Sequence, residues 1–98
     1  MLPVTFDPAK NAANRAKHGM DFADGSEFDL NTAIVEQDRD VRHEWRLQAT
    51  GWCSGRLPFL VFVPHEEGEG IHAISLRPCT RKEARRYAGR IGSDPGGA

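Results

Sequence analysis

Residues 57–63 form the longest apolar run of this chain, seven residues that include Pro58. A transmembrane helix needs roughly 20 apolar residues, so this run is too short to cross a membrane. It is apolar on both faces of an extended strand, which predicts a central β-strand covered at least partly on both sides. A chain of 98 residues has room for one such core, and we expect a single domain over residues 1–91.

Two further stretches, residues 45–52 and 71–77, alternate apolar and polar side chains. Turn residues separate them from the apolar run, so the three stretches predict an antiparallel meander. In the last stretch, strict alternation places Ala73 and Arg77 on the same face of the sheet.

The direction of the meander strands determines which charged residues can cooperate. Arg46 and His65 fall at one end of the predicted sheet, whereas Arg56 and Arg77 fall at the other. At ~3.3 Å per residue the two ends lie roughly 20 Å apart. One compact site therefore cannot contain all four side chains, and we favour the end with Arg77.

The N-terminal part of the chain contains clear helix signals. Asp7 before Pro8 predicts an N-cap, and Gly19 predicts the end of a helix over residues 8–18. The face expected to pack against the sheet carries four alanines: Ala9, Ala12, Ala13 and Ala16. The outer face carries three polar residues: Lys10, Asn14 and Lys17.

The remaining elements complete the expected fold. Residues 2–6 predict an edge strand, and a short second helix is expected from Asp21. Thr80 and Glu83 form a capping box for a last helix that ends between residues 89 and 92. The order predicts an α+β domain, an antiparallel sheet with two N-terminal helices and one C-terminal helix, packed on one sheet face.

The ends of the chain and its cysteines carry little functional signal. Residues 92–98 are rich in Gly and Pro, which predicts a disordered tail. Residues 1–10 lack the basic start and apolar segment of an export signal, so we expect a cytoplasmic protein. Cys53 and Cys79 have no CxxC partner, which indicates reduced thiols.

Charge is distributed unevenly along the chain. The whole sequence has 13 basic and 14 acidic residues, a balance that by itself argues against nucleic-acid binding. Residues 21–44, however, contain eight acidic and two basic residues, whereas residues 77–90 contain six basic and one acidic. We therefore expect one acidic and one basic face.

The basic segment contains a helix whose cations oppose its own stability. Arg81 and Lys82 fall in the first turn, where the helix macrodipole favours anions. Arg81 and Arg85 are like charges at i, i+4 spacing. A phosphate near Arg77 and the helix N-terminus would reverse these unfavourable interactions. The alternatives are a solvated basic face or pairing with the acidic segment, residues 21–44.

Four other residues have both a functional and a structural interpretation. Arg56, in a predicted hairpin, could bind a phosphate. Trp52 could stack on a base or be a half-buried edge aromatic. Tyr87 could reach a phosphate or belong to the core. His65 could transfer a proton or be an exposed loop histidine. The four histidines lack metal-ligand spacing, so no metal or other cofactor is expected.

Several motifs follow one another over residues 2–90: Phe6-Asp7-Pro8-Ala9-Lys10, Asn14, Lys17-His18-Gly19, Phe22, Arg46, Gly51, Ile74-Ser75-Leu76-Arg77-Pro78, Arg81-Lys82-Glu83 and Tyr87. In this order and separation they resemble the BrnT family. The resemblance implies a RelE-like fold and a toxin of a type II toxin–antitoxin module. It implies a metal-independent endoribonuclease that cleaves RNA, inhibits translation and is neutralised by a BrnA-like antitoxin.

The resemblance also implies roles for individual residues. Arg77 would stabilise the charged phosphorane, and Arg81 and Arg56 would hold flanking phosphates. Tyr87 or His65 would move protons. Further RNA contacts are expected from Lys82, Arg85, Arg46, Trp52, Lys10, Lys17 and His18. The last three suit contact with the antitoxin equally well.

Two other functional classes remain open at this point. One is a non-catalytic, degenerate toxin that only docks an antitoxin or an operator DNA complex. The other is a DNA-binding regulator, which the sequence supports poorly because no helix-turn-helix pattern precedes the basic helix. For a toxin we expect a hetero-oligomer with its antitoxin, in which operator DNA is bound only through the complex.

Overall fold

The computed structural model describes residues 2–38, 40, 42 and 45–90. Its elements in chain order are β1 (Val4–Thr5), α1 (Pro8–His18), a 3-10 helix (Phe22–Glu27), β2 (Ile34–Gln37), β3 (Leu47–Thr50), β4 (Pro58–Pro64), β5 (Ile71–Pro78) and α2 (Arg81–Arg90). The five strands form one sheet in the order β1-β5-β4-β3-β2. The tail predicted at residues 92–98 lies outside the described residues.

The strands confirm the predicted α+β class and the antiparallel meander. β2, β3, β4 and β5 pair antiparallel in succession. β1 pairs parallel with β5, so the sheet is mixed and the expectation of an antiparallel sheet is wrong at this edge, because no hairpin connects these two strands. β4 lies at the centre, as its apolar composition predicts. Across the meander, Thr50 is opposite Phe59 and Phe59 is opposite Arg77. These three residues form one row on one face of the sheet.

The predicted ends of α1 are confirmed. The Asp7 side chain accepts hydrogen bonds from the first turn, and Gly19 adopts the left-handed conformation with φ 70°. That conformation costs glycine little because it has no Cβ. The predicted packing face of α1, by contrast, is wrong, because the four alanines are exposed and the buried residues are Asn11 and Asn14.

The reason for the inverted packing lies in the open edge of β5. β1 pairs with β5 only at Ile71 and His72, so β1 leaves the backbone of Leu76 unpaired on that side. The Asn14 amide donates to the carbonyl of Leu76 at 2.8 Å and accepts from its N–H at 3.2 Å. Asn14 also donates to the Met20 carbonyl at 2.9 Å. Backbone hydrogen bonding therefore outweighs the alanine pattern.

The second predicted helix is not an α-helix. The segment after Asp21 forms a 3-10 helix of six residues, with Phe22 and Gly25 buried. Its backbone hydrogen bonds join residues three apart, as this helix type requires. For example, Phe28 N donates to Gly25 O at 3.0 Å. A run this short is typical of 3-10 helices, and Gly25 would weaken an α-helix in this segment.

The helices pack on both faces of the sheet, which corrects the expectation that they share one. Leu60 and Phe62 of β4 face the main core with α1 and the 3-10 helix. Phe59 and Arg77 point to the other face, where Arg77 bonds Glu83 of α2. An apolar central strand needs cover on both sides, and α2 supplies the second layer.

A β-bulge in β5 decides which face Arg77 occupies. Val61 pairs with Ser75, whereas Phe62 pairs with Ala73, so Ile74 is an extra residue without an opposite partner. The extra residue shifts the alternation, so that Ala73 faces the core and Arg77 faces α2. The prediction that these two share a face is therefore wrong.

Candidate active site

A cleft of about 430 Å³ lies between α2 and the sheet face on which α2 packs. Its lining combines three cations, two acids and three uncharged residues: Arg77, Lys82, Arg86, Glu36, Glu83, Gln48, Phe59 and Thr80. Phe59 and Arg77 of the sheet form its floor, and α2 forms one wall. The cleft therefore lies where the meander meets the basic helix.

Arg77 is held by several contacts in the cleft. Its Nη1 and Nη2 donate to Oε1 and Oε2 of Glu83 at 2.8 and 2.9 Å. Nη1 also donates to the Pro78 carbonyl at 3.1 Å. The guanidinium carbon lies 4.3 Å from the centroid of the Phe59 ring, a cation–π contact. The Arg77 and Glu83 side chains are only 29% and 23% exposed.

Glu83 serves two groups at once. Its carboxylate accepts from Thr80 N at 2.9 Å, and its own N–H donates to Thr80 Oγ1 at 3.1 Å. This confirms the predicted capping box at the start of α2. The same carboxylate binds Arg77, six residues earlier. Glu83 therefore connects the helix N-terminus to the end of β5.

Hydrogen bonds lower the pKa of two carboxyl groups. The Arg77 guanidinium is the main cause of the lowered pKa of Glu83, with burial acting in the opposite direction. The backbone N–H of Ala23 and the Asn11 amide lower the pKa of Asp21, the N-cap of the 3-10 helix. In both cases the ionised form is the one that the fold binds.

These shifts predict acid-sensitive folding. A lowered pKa in the folded state stabilises the fold above the ordinary pKa, which is 4.5 for Glu83, and this contribution is lost as the pH falls through the folded pKa. We expect the free energy of unfolding in urea to stay nearly constant from pH 7 to about 5 and to decrease below 4.5. Glu83→Gln should start lower and fall less steeply. An acid slope equal to that of the wild type would show that Glu83 does not contribute.

The remaining cations of α2 fall into two groups. Arg86 forms a salt bridge with Glu36 of β2, so one cation does pair with the acidic segment. Arg81, Lys82, Arg85 and Arg90 are exposed and form no salt bridge within the described ranges. Both structural alternatives for the basic helix are therefore realised in part, and four cations remain exposed without a salt-bridge partner among the described residues.

The two aromatic candidates, Trp52 and Tyr87, contact each other beside α2. Tyr87 is 5% exposed and Trp52 is 49% exposed. Their ring centroids are 6.3 Å apart with an interplanar angle of 89°, an edge-to-face arrangement. The Tyr87 ring therefore packs in the layer between α2 and the sheet, while Trp52 keeps a ring surface open to solvent.

Arg56 lies at the same end of the sheet as Arg77. It closes a two-residue hairpin in which Ser54 and Gly55 have φ angles of 51° and 78°. Cys53 and Arg56 exchange both backbone hydrogen bonds across this turn, at 2.9 and 3.0 Å. The hairpin thus holds Arg56 exposed just before β4, as the meander predicts.

His65 and Arg46 lie at the opposite end. His65 Nε2 and His72 Nδ1 both bond the Thr5 hydroxyl, at 3.0 and 2.9 Å. His72 and Arg77 are five residues apart on β5, roughly 16 Å. Direct proton transfer from His65 to a group at Arg77 is therefore impossible in this arrangement. Arg46 has a buried Nε without a partner in the described part of the chain.

The candidates on α1 lie on the other side of the sheet from the cleft. Lys10 and Lys17 are exposed and His18 is half-buried. α1 packs on the core face through Asn14, whereas the cleft is on the α2 face. The structure therefore does not bring these three residues together with Arg77.

Of the residues that line the cleft, the sequence predicts only Arg77 and Lys82 as functional, and it misses Glu83 and Phe59, which contact Arg77. The sequence pattern identifies Glu83 only as a helix cap, although an acid among six cations is itself a signal of pairing. It places Phe59 only in the apolar run. Its position opposite Arg77 depends on strand register, which alternation alone does not specify.

Comparison with known proteins identifies the family. The family model described as the ribonuclease toxin BrnT of the type II toxin–antitoxin system matches residues 6–83. The chain belongs to the BrnT family. The predicted resemblance is thereby confirmed, together with the ribonuclease toxin function that defines the family. Membership of a type II toxin–antitoxin system also implies an antitoxin partner.

A solved structure of a BrnT protein supports the same conclusion. The 1.1 Å crystal structure of the Brucella abortus ribonuclease toxin BrnT is similar with a TM-score of 0.64 and 30% sequence identity. The match covers 83% of this chain and 100% of that one. No curated protein matches the sequence. In the part of this BrnT chain that the structure describes, no helix is long and apolar enough to span a bilayer.

Proposed function

We propose that the cleft between α2 and the sheet is the catalytic site of a metal-independent endoribonuclease, with Arg77 at its centre. One observation carries the proposal: a half-buried guanidinium lies over the Phe59 ring at the floor of a cleft with Lys82 on its wall. A restrained guanidinium matches the geometry of a phosphodiester better than a mobile surface cation does.

The proposed reaction uses the RNA as its own nucleophile. The 2′-oxygen forms a bond to the adjacent phosphorus, the bond to the 5′-oxygen breaks, and a 2′,3′-cyclic phosphate results. The 2′-hydroxyl gives up its proton and the leaving 5′-oxygen receives one, so protons balance. Arg77 stabilises the extra negative charge of the phosphorane. Tyr87 is one helical turn from Glu83 and is our candidate for proton transfer, a role that requires its buried hydroxyl to reach the cleft.

The other predicted residues extend the RNA path. Arg81 and Arg56 would bind flanking phosphates, because both are exposed near the end of the sheet that holds Arg77. Lys82 and Arg85 add positive charge along α2, and Trp52 offers a ring for base stacking. Arg46 would meet the strand farther along the sheet.

We place the antitoxin on the side away from the RNA. Lys10, Lys17 and His18 lie beyond the sheet from the cleft, which favours contact with a BrnA-like antitoxin over contact with RNA. The five-stranded sheet with a C-terminal helix fits a RelE-like fold. We propose a cytoplasmic hetero-oligomer of toxin and antitoxin, in which operator DNA binds only through the complex.

The wild-type protein tests this function directly. Antitoxin-free protein should cleave single-stranded RNA in excess EDTA and leave 2′,3′-cyclic phosphate ends, and its induction should stop growth. A protein that neither cleaves RNA nor stops growth would establish the non-catalytic docking module instead. Salt-sensitive binding of the isolated chain to its operator would support a DNA-binding regulator.

A further inference from the structure

We propose that Glu83 is a positioning residue that determines which edge of the Arg77 guanidinium meets the RNA phosphate. The inference rests on the proposed function, because it assigns a role within the same cleft. Glu83 itself does not contact RNA in this scheme. It holds one edge of Arg77 so that the other edge is presented to the phosphodiester in a fixed orientation.

The hydrogen-bond donors of Arg77 support this division. A guanidinium has five N–H donors that form two forks, one at the Nη1/Nη2 end and one along the Nε/Nη2 side. The Nη1/Nη2 fork is occupied by the two oxygens of Glu83, and the second Nη1 hydrogen by the Pro78 carbonyl. Nε and the second Nη2 hydrogen have no partner among the described residues.

The free side of the guanidinium is therefore a complete second fork. Its two parallel N–H groups match two non-bridging oxygens of one phosphate. A phosphate can bind there without displacing Glu83. The arrangement also explains how a carboxylate can lie in a cleft that binds anions. The Glu83 carboxylate and the RNA phosphate would bind different edges of the Arg77 guanidinium.

Three contacts fix the orientation of this fork. Glu83 restrains the end of the guanidinium, the Pro78 carbonyl restrains Nη1, and Phe59 lies under its plane. Because Glu83 is itself held by the Thr80 N–H at the start of α2, the position of Arg77 follows that of the helix. Preorganised donors stabilise a transition state more than mobile ones, since they need no reorientation during the reaction.

The competing interpretation is that Glu83 masks Arg77. In that case the carboxylate occupies the position of the phosphate and must leave before RNA binds. The two interpretations predict opposite effects when the negative charge is removed. Loss of the carboxylate impairs a positioned guanidinium, whereas it activates a masked one.

Two substitutions separate the roles of Glu83. Glu83→Gln keeps an oxygen for the Thr80 N–H but places an NH2 group against Arg77, so it breaks the paired fork. Thr80→Ala removes the hydroxyl that caps α2 but leaves both oxygens of Glu83 on Arg77. We expect Glu83→Gln to lower kcat for RNA cleavage about 10- to 100-fold with KM changed less than about threefold. Thr80→Ala should lower Tm and reduce kcat much less than Glu83→Gln does.

The assay is performed well below the Tm of both variants, with Arg77→Ala measured beside them. Higher activity in Glu83→Gln would establish masking and overturn the inference. A wild-type kcat in Glu83→Gln, or equal losses of kcat in both variants, would overturn the inference by showing that Glu83 acts only as a helix cap. If Glu83→Gln gives one of these results while Arg77→Ala is inactive, the inference about Glu83 fails but the proposed function remains supported. An active Arg77→Ala would refute the proposed catalytic site centred on Arg77.

Discussion

Arg77→Ala should reduce RNA cleavage by about 100- to 1,000-fold and abolish growth arrest. The substitution removes the guanidinium that we propose to stabilise the phosphorane, together with its contacts to Glu83 and Phe59. Single-turnover cleavage of a short RNA in EDTA measures the loss. Arg77→Lys should recover little of the activity, because one ammonium group cannot donate to Glu83 and present a planar fork to the phosphate.

Arg90→Ala is the matched control for this experiment. Arg90 is the last described residue of α2 and is exposed, so its loss removes the same charge from the same basic segment. We expect its cleavage rate to stay within about threefold of wild type, because exposed charges act mainly through screened long-range attraction. Circular dichroism should show that both variants are folded. Full growth arrest by Arg77→Ala would refute the assignment of this residue.

Asn14→Ala should cause the largest loss of stability of any alanine substitution in α1, about 2–4 kcal/mol in the free energy of unfolding. The variant leaves the N–H and carbonyl of Leu76 and the carbonyl of Met20 without the Asn14 amide. Asn14 is only 9% exposed, so water has little access to replace those bonds. Urea unfolding at pH 7 measures the difference.

Ala13→Asn is the control for this prediction. It places the same side chain on the neighbouring residue of α1, which is exposed, so only helix propensity changes, by at most about 0.7 kcal/mol. Asn14→Asp should be as unstable as Asn14→Ala, because a carboxylate cannot donate to the two carbonyls. If Asn14→Ala lost no more stability than Ala13→Asn, the connection between α1 and β5 would be incidental.

Local signals in the sequence account for the elements and for the family. The Asp7 and Gly19 caps of α1, the Thr80–Glu83 capping box and the central apolar strand all involve residues close together in the chain. Their energetics depend on a few neighbouring backbone groups, so pattern reasoning predicts them well. The motifs identify the family from the sequence alone, because their order and separation along the chain can be read without the structure.

Contacts between distant residues account for what pattern reasoning missed. Asn14 rather than the alanines of α1 is buried, because β1 leaves the edge of β5 open 62 residues away in sequence. One extra residue in β5, Ile74, decides that Arg77 faces α2.

The sequence by itself therefore determined the family, the ends of the helices, the strand order of the meander and the excess of cations at one end of the sheet. Only the tertiary structure decided which face of each element is buried, and that Arg77 pairs with Glu83 in the cleft beside α2. The physical reason is that packing faces and ion pairs depend on the register and edges of a sheet, which form from residues far apart in the chain.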